Sequence, residues 1–157
     1  MQIIYVGDDN ADPGVKSIFL AGPSCRNKSQ EHWRPKAIEF LKMLGYDGQV
    51  FSPLTKEGGW LGDYVAQTDW ELKHLERATI ILFWVPRNLK DGLFGFTTNV
   101  EFGLYAKSGK VVLGYPKDAD KNKYLHLIAE RNDIPIFYDL EDTIKEAIKK
   151  CVINSNL

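Results

Sequence analysis

The sequence lacks the clustered side chains that would indicate a zinc site. Its two cysteines, Cys25 and Cys151, lie far apart in the chain, and its three histidines (His32, His74 and His126) are scattered. Neither a Cys-x-x-Cys nor a His-x-x-x-His pair is present, and structural zinc sites are built from such closely spaced ligands. We therefore expect no metal, and we expect both thiols to be reduced, as in a cytoplasmic protein.

The chain also lacks an excess of charge and a long apolar segment. It carries 20 Lys and Arg residues against 21 Asp and Glu residues, for a net charge of −1. Nothing therefore favours binding to the phosphate backbone of a nucleic acid. No apolar run approaches the roughly 20 residues of a membrane span, and the N-terminus has no signal-peptide pattern. These absences favour a cytoplasmic protein with a small, nearly neutral ligand.

What is present is an alternation of strand-like apolar runs and helical patterns. The predicted strands are Gln2–Val6, Ser17–Ala21, Gln49–Phe51, Thr79–Val85, Val111–Gly114 and Pro135–Tyr138. The predicted helices run from Trp33 or Pro35 to Leu44, from Asp63 to Arg77, from the segment Gly95–Gly103 through Ala106, from Tyr124 to Arg131 and from Glu141 to Val152. This alternation predicts one domain, residues 1–157, with a doubly wound (flavodoxin- or Rossmann-like) α/β sheet of about five parallel strands and helices on both faces.

The loops that follow the strands are expected to meet at one edge of this sheet. After Ala21 comes Gly22-Pro23-Ser24-Cys25-Arg26, where small residues let backbone amides approach a ligand and Arg26 offers a charged donor. The Gly-Pro pair is also typical of an ordinary turn. Trp60 follows two glycines, and it either covers a bound ring or packs on the protein surface.

The predicted helix from Asp63 to Arg77 has Asp63 as its N-cap and a mixed stripe along one face. At about 100° per residue, Tyr64, Gln67, Glu71 and Leu75 fall on this stripe, whereas Asp69 points roughly the opposite way. Two interpretations of the stripe remain open. Glu71 either faces a pocket or forms a surface salt bridge near Lys73 or His74.

The segment Gly95–Gly103 follows the apolar strand Thr79–Val85 and leads into a helix. Thr98-Asn99-Val100-Glu101 fits the capping-box pattern. The same spacing places the Glu101 carboxylate in the first helical turn, at the edge where open α/β sheets bind ligands. A helix N-terminus lowers the pKa of a carboxylate. We expect Glu101 to point into the pocket, with the cap fixing the turn that presents it.

Taken in order, five segments of the sequence resemble the nucleoside 2-deoxyribosyltransferase-like family over roughly residues 17 to 115. The segments are Ile18–Pro23, Trp33-Arg34, Tyr64–Glu71, Ile81–Arg87 and Gly95–Gly103. The resemblance implies cleavage of the N-glycosidic bond of 2-deoxyribonucleosides or their monophosphates, without a metal or organic cofactor.

The resemblance also implies roles for particular residues. Glu101, in Glu101-Phe102-Gly103, corresponds to the family's nucleophile. Glu71 corresponds to a second acid that is usually Asp in relatives, with Asp69 as the alternative. Gly95 stands where many relatives have Asp or Ser, so we expect Asn99 or Asp91 to supply that contact with the sugar. The substrate-binding residues implied are Gly22, Pro23, Ser24, Arg26, Tyr64, Gln67 and Asn99.

Three functions remain open at this point. The first is deoxyribosyl transfer between nucleobases, and the second is hydrolysis of nucleoside 5′-monophosphates, for which Arg26 or Arg87 would bind the phosphate. The third is a binding module without catalysis. The resemblance further implies a homo-oligomer in which a neighbouring subunit helps to close the site, with Asn122 and Tyr124 as candidate contributors.

Overall fold

Six parallel strands form one sheet in the computed structural model, which describes residues 1–25 and 32–154. In chain order the strands are β1 (Gln2–Tyr5), β2 (Ser17–Ala21), β3 (Gln49–Ser52), β4 (Ile80–Trp84), β5 (Val111–Gly114) and β6 (Ile136–Phe137). Their order across the sheet is β1-β3-β2-β4-β5-β6. The predicted doubly wound α/β architecture is confirmed.

Five helices within the described residues cover both faces of the sheet. They are α1 (Trp33–Met43), α2 (Tyr64–Arg77), α3 (Phe96–Tyr105), α4 (Lys123–Arg131) and α5 (Leu140–Asn154). Helices α2, α3 and α4 pack on one face and α1 and α5 on the other. Alternate residues of β4 serve the two faces, which explains why this strand is apolar throughout. No helix in these parts of the chain is long and apolar enough to cross a membrane.

A crevice opens at the carboxyl edge of the sheet between β2 and β4. Strand β3 lies on one side of β2 and β4 lies on the other, and ligands of open α/β sheets bind where the strand order reverses in this way. Gly22 follows β2 with φ +146°, and a Cβ at this position would overlap the carbonyl oxygen of Trp84 in β4. Glycine is therefore required for the two strand ends to approach each other.

The two helices that border the crevice begin in different ways. Helix α2 follows Asp63, whose Oδ1 accepts hydrogen bonds from the amides of Val65 (2.8 Å) and Ala66 (3.2 Å). This N-cap was predicted and is confirmed. Such a cap satisfies amides that would otherwise have no partner at the start of the helix.

The capping box predicted at Thr98 and Glu101 is wrong. Helix α3 begins at Phe96, after Gly95 in the left-handed conformation (φ 64°, ψ 44°), so Gly95 is the N-cap. The turn comes earlier than predicted because glycine adopts this conformation without strain. Thr98 is therefore inside the helix, and Glu101 lies in its second turn.

Candidate active site

A cavity of about 870 Å³ occupies the crevice at the carboxyl edge of the sheet. Its walls come from the loops after β2, β3 and β4, together with α2, α3 and one side chain of α1. Gly22, Pro23 and Ser24 line it, and Trp60 lies at its rim, 47% exposed. Glu101 lines it as well, so the structure brings three of the segments flagged in the sequence to one place.

Two carboxylates from different helices line this cavity. Glu71 extends from α2 and Glu101 from α3, and both are half-buried. Glu101 follows Thr98 by three residues and precedes Phe102, and both of these neighbours are buried. Phe102 packs edge-on against Phe83 of β4 with 5.2 Å between ring centroids. The packing of α3 on the sheet therefore directs Glu101 towards the crevice.

Burial controls the protonation of both carboxyl groups. Burial, and after it the negative charge of Glu71, raise the pKa of Glu101 to about 7 against the opposing charge of Arg34. Burial also raises the pKa of Glu71, while a hydrogen bond from Gln67 and the charge of Arg34 lower it. The pKa of Glu101 was expected to be lowered by a helix N-terminus, and this expectation is wrong. The helix dipole acts mainly within the first turn, and Glu101 lies beyond that turn. Desolvation of its carboxyl group therefore decides the direction of the pKa shift.

Gln67 holds Glu71 in place. Its Nε2 donates hydrogen bonds to Glu71 Oε1 (2.6 Å) and to the carbonyl oxygen of Pro53 (2.9 Å), and its Oε1 accepts from the amide of Leu61 (3.0 Å). These bonds use both amide hydrogens of Gln67. Because Glu71 Oε1 accepts a hydrogen bond, a proton on this carboxyl group belongs on Oε2.

The surface salt bridge considered for Glu71 does not form. Lys73 pairs instead with Asp9, at 2.8 Å. His74 is buried and stacks on Trp70, with 3.9 Å between ring centroids. Three residues of the mixed stripe on α2, Tyr64, Gln67 and Glu71, therefore face the cavity, whereas Leu75 packs in the core.

Arg34 is a cavity residue that the sequence reasoning missed. It lies on α1, is 2% exposed, and is the one cation among the described residues that line the cavity. Burial lowers its pKa to about 10, and the charges of Glu101 and Glu71 act in the opposite direction, so it is charged at neutral pH. The sequence did contain a sign of its burial, because Arg34 falls on the same helical stripe as the apolar residues Ile38 and Leu41, which are buried. A cation on an apolar stripe is rarely buried without a partner.

Several predicted site residues lie away from the cavity or outside the described residues. Asp69 is exposed and does not line it. Asn99 and Asp91, the residues expected to contact the sugar in place of Gly95, are also exposed and do not line it. Gly95 itself lines the cavity. Arg26 lies outside the described residues.

Arg87 and the two candidate contributors to a neighbouring site also have other surroundings. Arg87 is buried, and it donates to the carbonyl oxygen of Lys121 (2.9 Å) and to Asn99 Oδ1. Asn122 is buried and donates to the carbonyl oxygen of Val85 (2.9 Å), whereas Tyr124 is 75% exposed. The side chain of Asn122 is thus engaged within its own chain, and the contribution of Tyr124 to a neighbouring site stays a prediction.

Aromatic and aliphatic side chains form the rim of the cavity. Phe94 and Phe96 stack with 5.4 Å between centroids and planes 10° apart. Other exposed apolar side chains that line the cavity are Trp60, Tyr64, Leu72, Val100 and Leu104. Such a rim suits a flat, weakly polar ring, since aromatic faces stack on one another. Among the described residues, no group of three or more His, Cys, Asp or Glu side chains could hold a metal ion.

Comparison with known proteins identifies the family. A search of curated proteins found no match to this chain. The family model described as nucleoside 2-deoxyribosyltransferase-like matches residues 15–119. The matched segment runs from before β2 to beyond β5 and contains every described residue that lines the cavity. The chain therefore belongs to the nucleoside 2-deoxyribosyltransferase-like family.

Proposed function

We propose that this protein cleaves the N-glycosidic bond of 2′-deoxyribonucleosides and transfers the deoxyribosyl group to another nucleobase. The observation that carries the proposal is the meeting of Glu71 and Glu101 in one cavity of a chain of this family. Retaining cleavage of a glycosidic bond needs a carboxylate nucleophile and a second carboxyl group that acts as the acid. Glu101 is the nucleophile, and Glu71 is the acid.

In the first half-reaction, the Glu101 carboxylate attacks C1′ of the sugar and forms a covalent deoxyribosyl-enzyme. The N-glycosidic bond breaks, its electron pair leaves with the base, and the base takes the proton from Glu71 Oε2. In the second half-reaction, a nitrogen of the acceptor base displaces Glu101 from C1′ and its proton passes to Glu71. Water in place of the base gives hydrolysis.

The reactive state requires one proton on the pair, held by Glu71. In the unliganded protein below about pH 7, the raised pKa of Glu101 instead favours that proton on Glu101, so the proton must move to Glu71 before the attack. Glu101 must then be ionised, which is easier when Glu71 is neutral because the negative charge of Glu71 raises the pKa of Glu101. The bond from Gln67 leaves Oε2 of Glu71 as the oxygen that carries the proton. The hydrogen bond from Gln67 thus orients the carboxyl group of Glu71 relative to the departing nucleobase.

Charge in the cavity favours nucleosides over their 5′-monophosphates. The described lining contains two carboxylates and the single cation Arg34. Arg87, considered as a phosphate ligand, bonds elsewhere. Arg26, the other candidate phosphate ligand, lies outside the described residues. Arg34 already balances the one ionised carboxylate of the pair, so the described lining offers no further positive charge to a phosphate. Deoxynucleosides should therefore turn over faster than the monophosphates, both with and without an acceptor base.

We further propose that the protein forms a homo-oligomer, with a second copy covering part of the cavity mouth. Phe96, Val100 and Leu104 lie four residues apart on α3 and are 71%, 63% and 63% exposed. Helical residues at this spacing form one continuous stripe. Exposed apolar patches beside a ligand cavity often mark an interface.

The decisive experiment is the trapping of the covalent intermediate. A 2-deoxy-2-fluoro nucleoside, incubated with the protein, should increase the intact mass by one fluorosugar, located on Glu101 by peptide mapping. Glu101→Ala should lose both the adduct and base release from deoxynucleosides. Asp69→Ala is the matched control, since this acid is exposed on α2 outside the cavity, and it should keep both. Full base release by Glu101→Ala would exclude the mechanism.

A further inference from the structure

Arg34 is placed to balance the charge of the two carboxylates. It lines the cavity together with Glu71 and Glu101, and the other described residues of the lining carry no formal charge at neutral pH. The guanidinium is buried, so its charge is weakly screened by water. Removal of any one of these three charges therefore changes the net charge of the whole cavity.

Three hydrogen bonds fix the position of the guanidinium group. Nε donates to the carbonyl oxygen of Leu20 (3.0 Å), Nη2 to that of Gly22 (2.7 Å), and Nη1 to Oγ of Ser24 (2.7 Å). The group also lies over the ring of Trp33, 4.6 Å from its centroid. All three acceptors belong to the end of β2 or its loop, so the charge is attached to the rigid edge of the sheet.

We propose that Arg34 is a positioning residue whose buried charge keeps one carboxylate of the Glu71–Glu101 pair ionised, so that the pair holds a single proton near neutral pH. A buried site avoids net charge because desolvation of an unbalanced ion is costly. With Arg34 present, the neutral cavity contains one proton on the pair. Without it, the neutral cavity contains two, and no carboxylate remains to attack the sugar.

The other titratable groups near the pair, within the residues that the structure describes, do not supply this positive charge. Burial raises the pKa of Tyr105, on α3 beside Glu101, and of Cys25, in the loop after β2 beside Arg34. Both are therefore neutral at neutral pH. Burial and the charge of Arg34 lower the pKa of His32, just before α1, so this ring is also neutral there. Tyr64, on α2, is an exposed rim residue.

Carboxyl ¹³C NMR titration of glutamate-labelled protein without substrate tests the proposal, with resonances assigned through Glu71→Gln and Glu101→Gln. In the wild-type protein, one carboxyl of the pair should be ionised and the other protonated near pH 6. In Arg34→Met and Arg34→Gln, the first ionisation of the pair should move up by about 1 to 3 pH units, the range expected for loss of a neighbouring opposite charge. Arg34→Lys should largely restore it.

The variants separate charge from structure. Arg34→Lys keeps the positive charge and loses the planar set of hydrogen-bond donors. A decrease in stability that is equal in the Lys, Met and Gln variants therefore measures the loss of those hydrogen bonds and not the loss of charge. Ser24→Ala removes one of those bonds and keeps the charge, and it should leave the titration unchanged. Identical titration of wild type and the neutral variants, or equal shifts in the Lys and neutral variants, would overturn the proposal. So would two protonated or two ionised carboxyls near pH 6 in the wild type.

The relevance of Arg34 to turnover rests on the proposed function, whereas the titration does not. If deoxynucleosides turn over, the acidic limb of kcat/KM should move to higher pH in Arg34→Met and return in Arg34→Lys. An unmoved limb in Arg34→Met would overturn the proposal. If no nucleoside turns over, the proposed function fails, and the titration still decides the role of Arg34.

Discussion

Replacement of Glu101 by glutamine should stabilise the folded protein above neutral pH. Glu101 is half-buried in the cavity that Glu71 also lines, and desolvation together with the charge of Glu71 raises its pKa from an ordinary 4.5 to about 7. The folded state therefore resists the loss of this proton, which the unfolded chain gives up readily. Glutamine has the same shape and no charge to lose.

The magnitude follows from the two pKa values. Between pH 4.5 and 7, the folded protein keeps a proton that the unfolded chain has released, so stability falls as pH rises through this range. A pKa difference of one corresponds to about 1.4 kcal/mol. The free energy of unfolding of the wild type should therefore be lowered by about 1 kcal/mol at pH 5 and by about 3 kcal/mol at pH 8. Glu101→Gln should be free of this penalty.

Urea unfolding at pH 5 and pH 8 measures the effect. Any free-energy cost of placing the glutamine amide in the cavity is the same at both pH values. The informative quantity is therefore how much the difference in unfolding free energy between Glu101→Gln and wild type changes with pH. We expect the unfolding free energy of Glu101→Gln relative to wild type to increase by about 2 kcal/mol between pH 5 and pH 8. Asp69→Asn, an exposed substitution on α2, should change the unfolding free energy by less than about 0.5 kcal/mol at pH 8.

A difference between Glu101→Gln and wild type that does not depend on pH would refute the reasoning. It would mean that the carboxyl group of Glu101 exchanges protons in the folded protein much as it does in the unfolded chain. A difference that shrinks towards pH 8 would contradict it further, since the ionised carboxylate would then be stabilising. Either result would remove burial as the property that sets the protonation of this site.

Two further predictions concern the crevice and its rim. Gly22→Ala should lower the free energy of unfolding by about 2 to 4 kcal/mol, because its Cβ would overlap the Trp84 carbonyl oxygen. Gly103→Ala, on α3 with open space around it, should instead raise it by about 0.5 to 1 kcal/mol, and equal effects in urea unfolding would contradict this. Leu104→Glu should reduce the mass measured by light scattering to that of one chain, whereas Met43→Glu, exposed on α1, should leave the oligomer intact. A wild-type protein that is already monomeric would exclude the proposed oligomer.

Local sequence patterns were sufficient for much of the fold. The apolar run that became β4 predicted a strand covered on both faces, because the environment of such a strand is visible in its own residues. Asp63 was recognisable as an N-cap because capping acts over three residues. Helical periodicity likewise separated Glu71 from Asp69, which lie two residues apart on α2 and face different surroundings.

Local patterns failed where two turn signals competed. Thr98 and Glu101 fit a capping box, but Gly95, in the left-handed conformation, starts α3 before them. A Cβ on Gly95 would lie 3.2 Å from Cβ of Pro23, which belongs to the loop after β2. Gly95 thus lies close to a residue more than 70 positions away in the chain, and the nearby sequence does not contain that contact.

The sequence by itself determined the order of strands and helices along the chain, the edge of the sheet at which the cavity opens and two acids that line it. Only the tertiary structure decided how those acids are charged. The pKa of Glu101, on α3, depends on burial, on the charge of Glu71 on α2 and on the charge of Arg34 on α1. The tertiary structure also decided the partners of Arg87, which donates hydrogen bonds to Lys121 and Asn99. Desolvation and Coulomb interactions depend on distances through space, and those distances exist only after the helices have packed on the sheet.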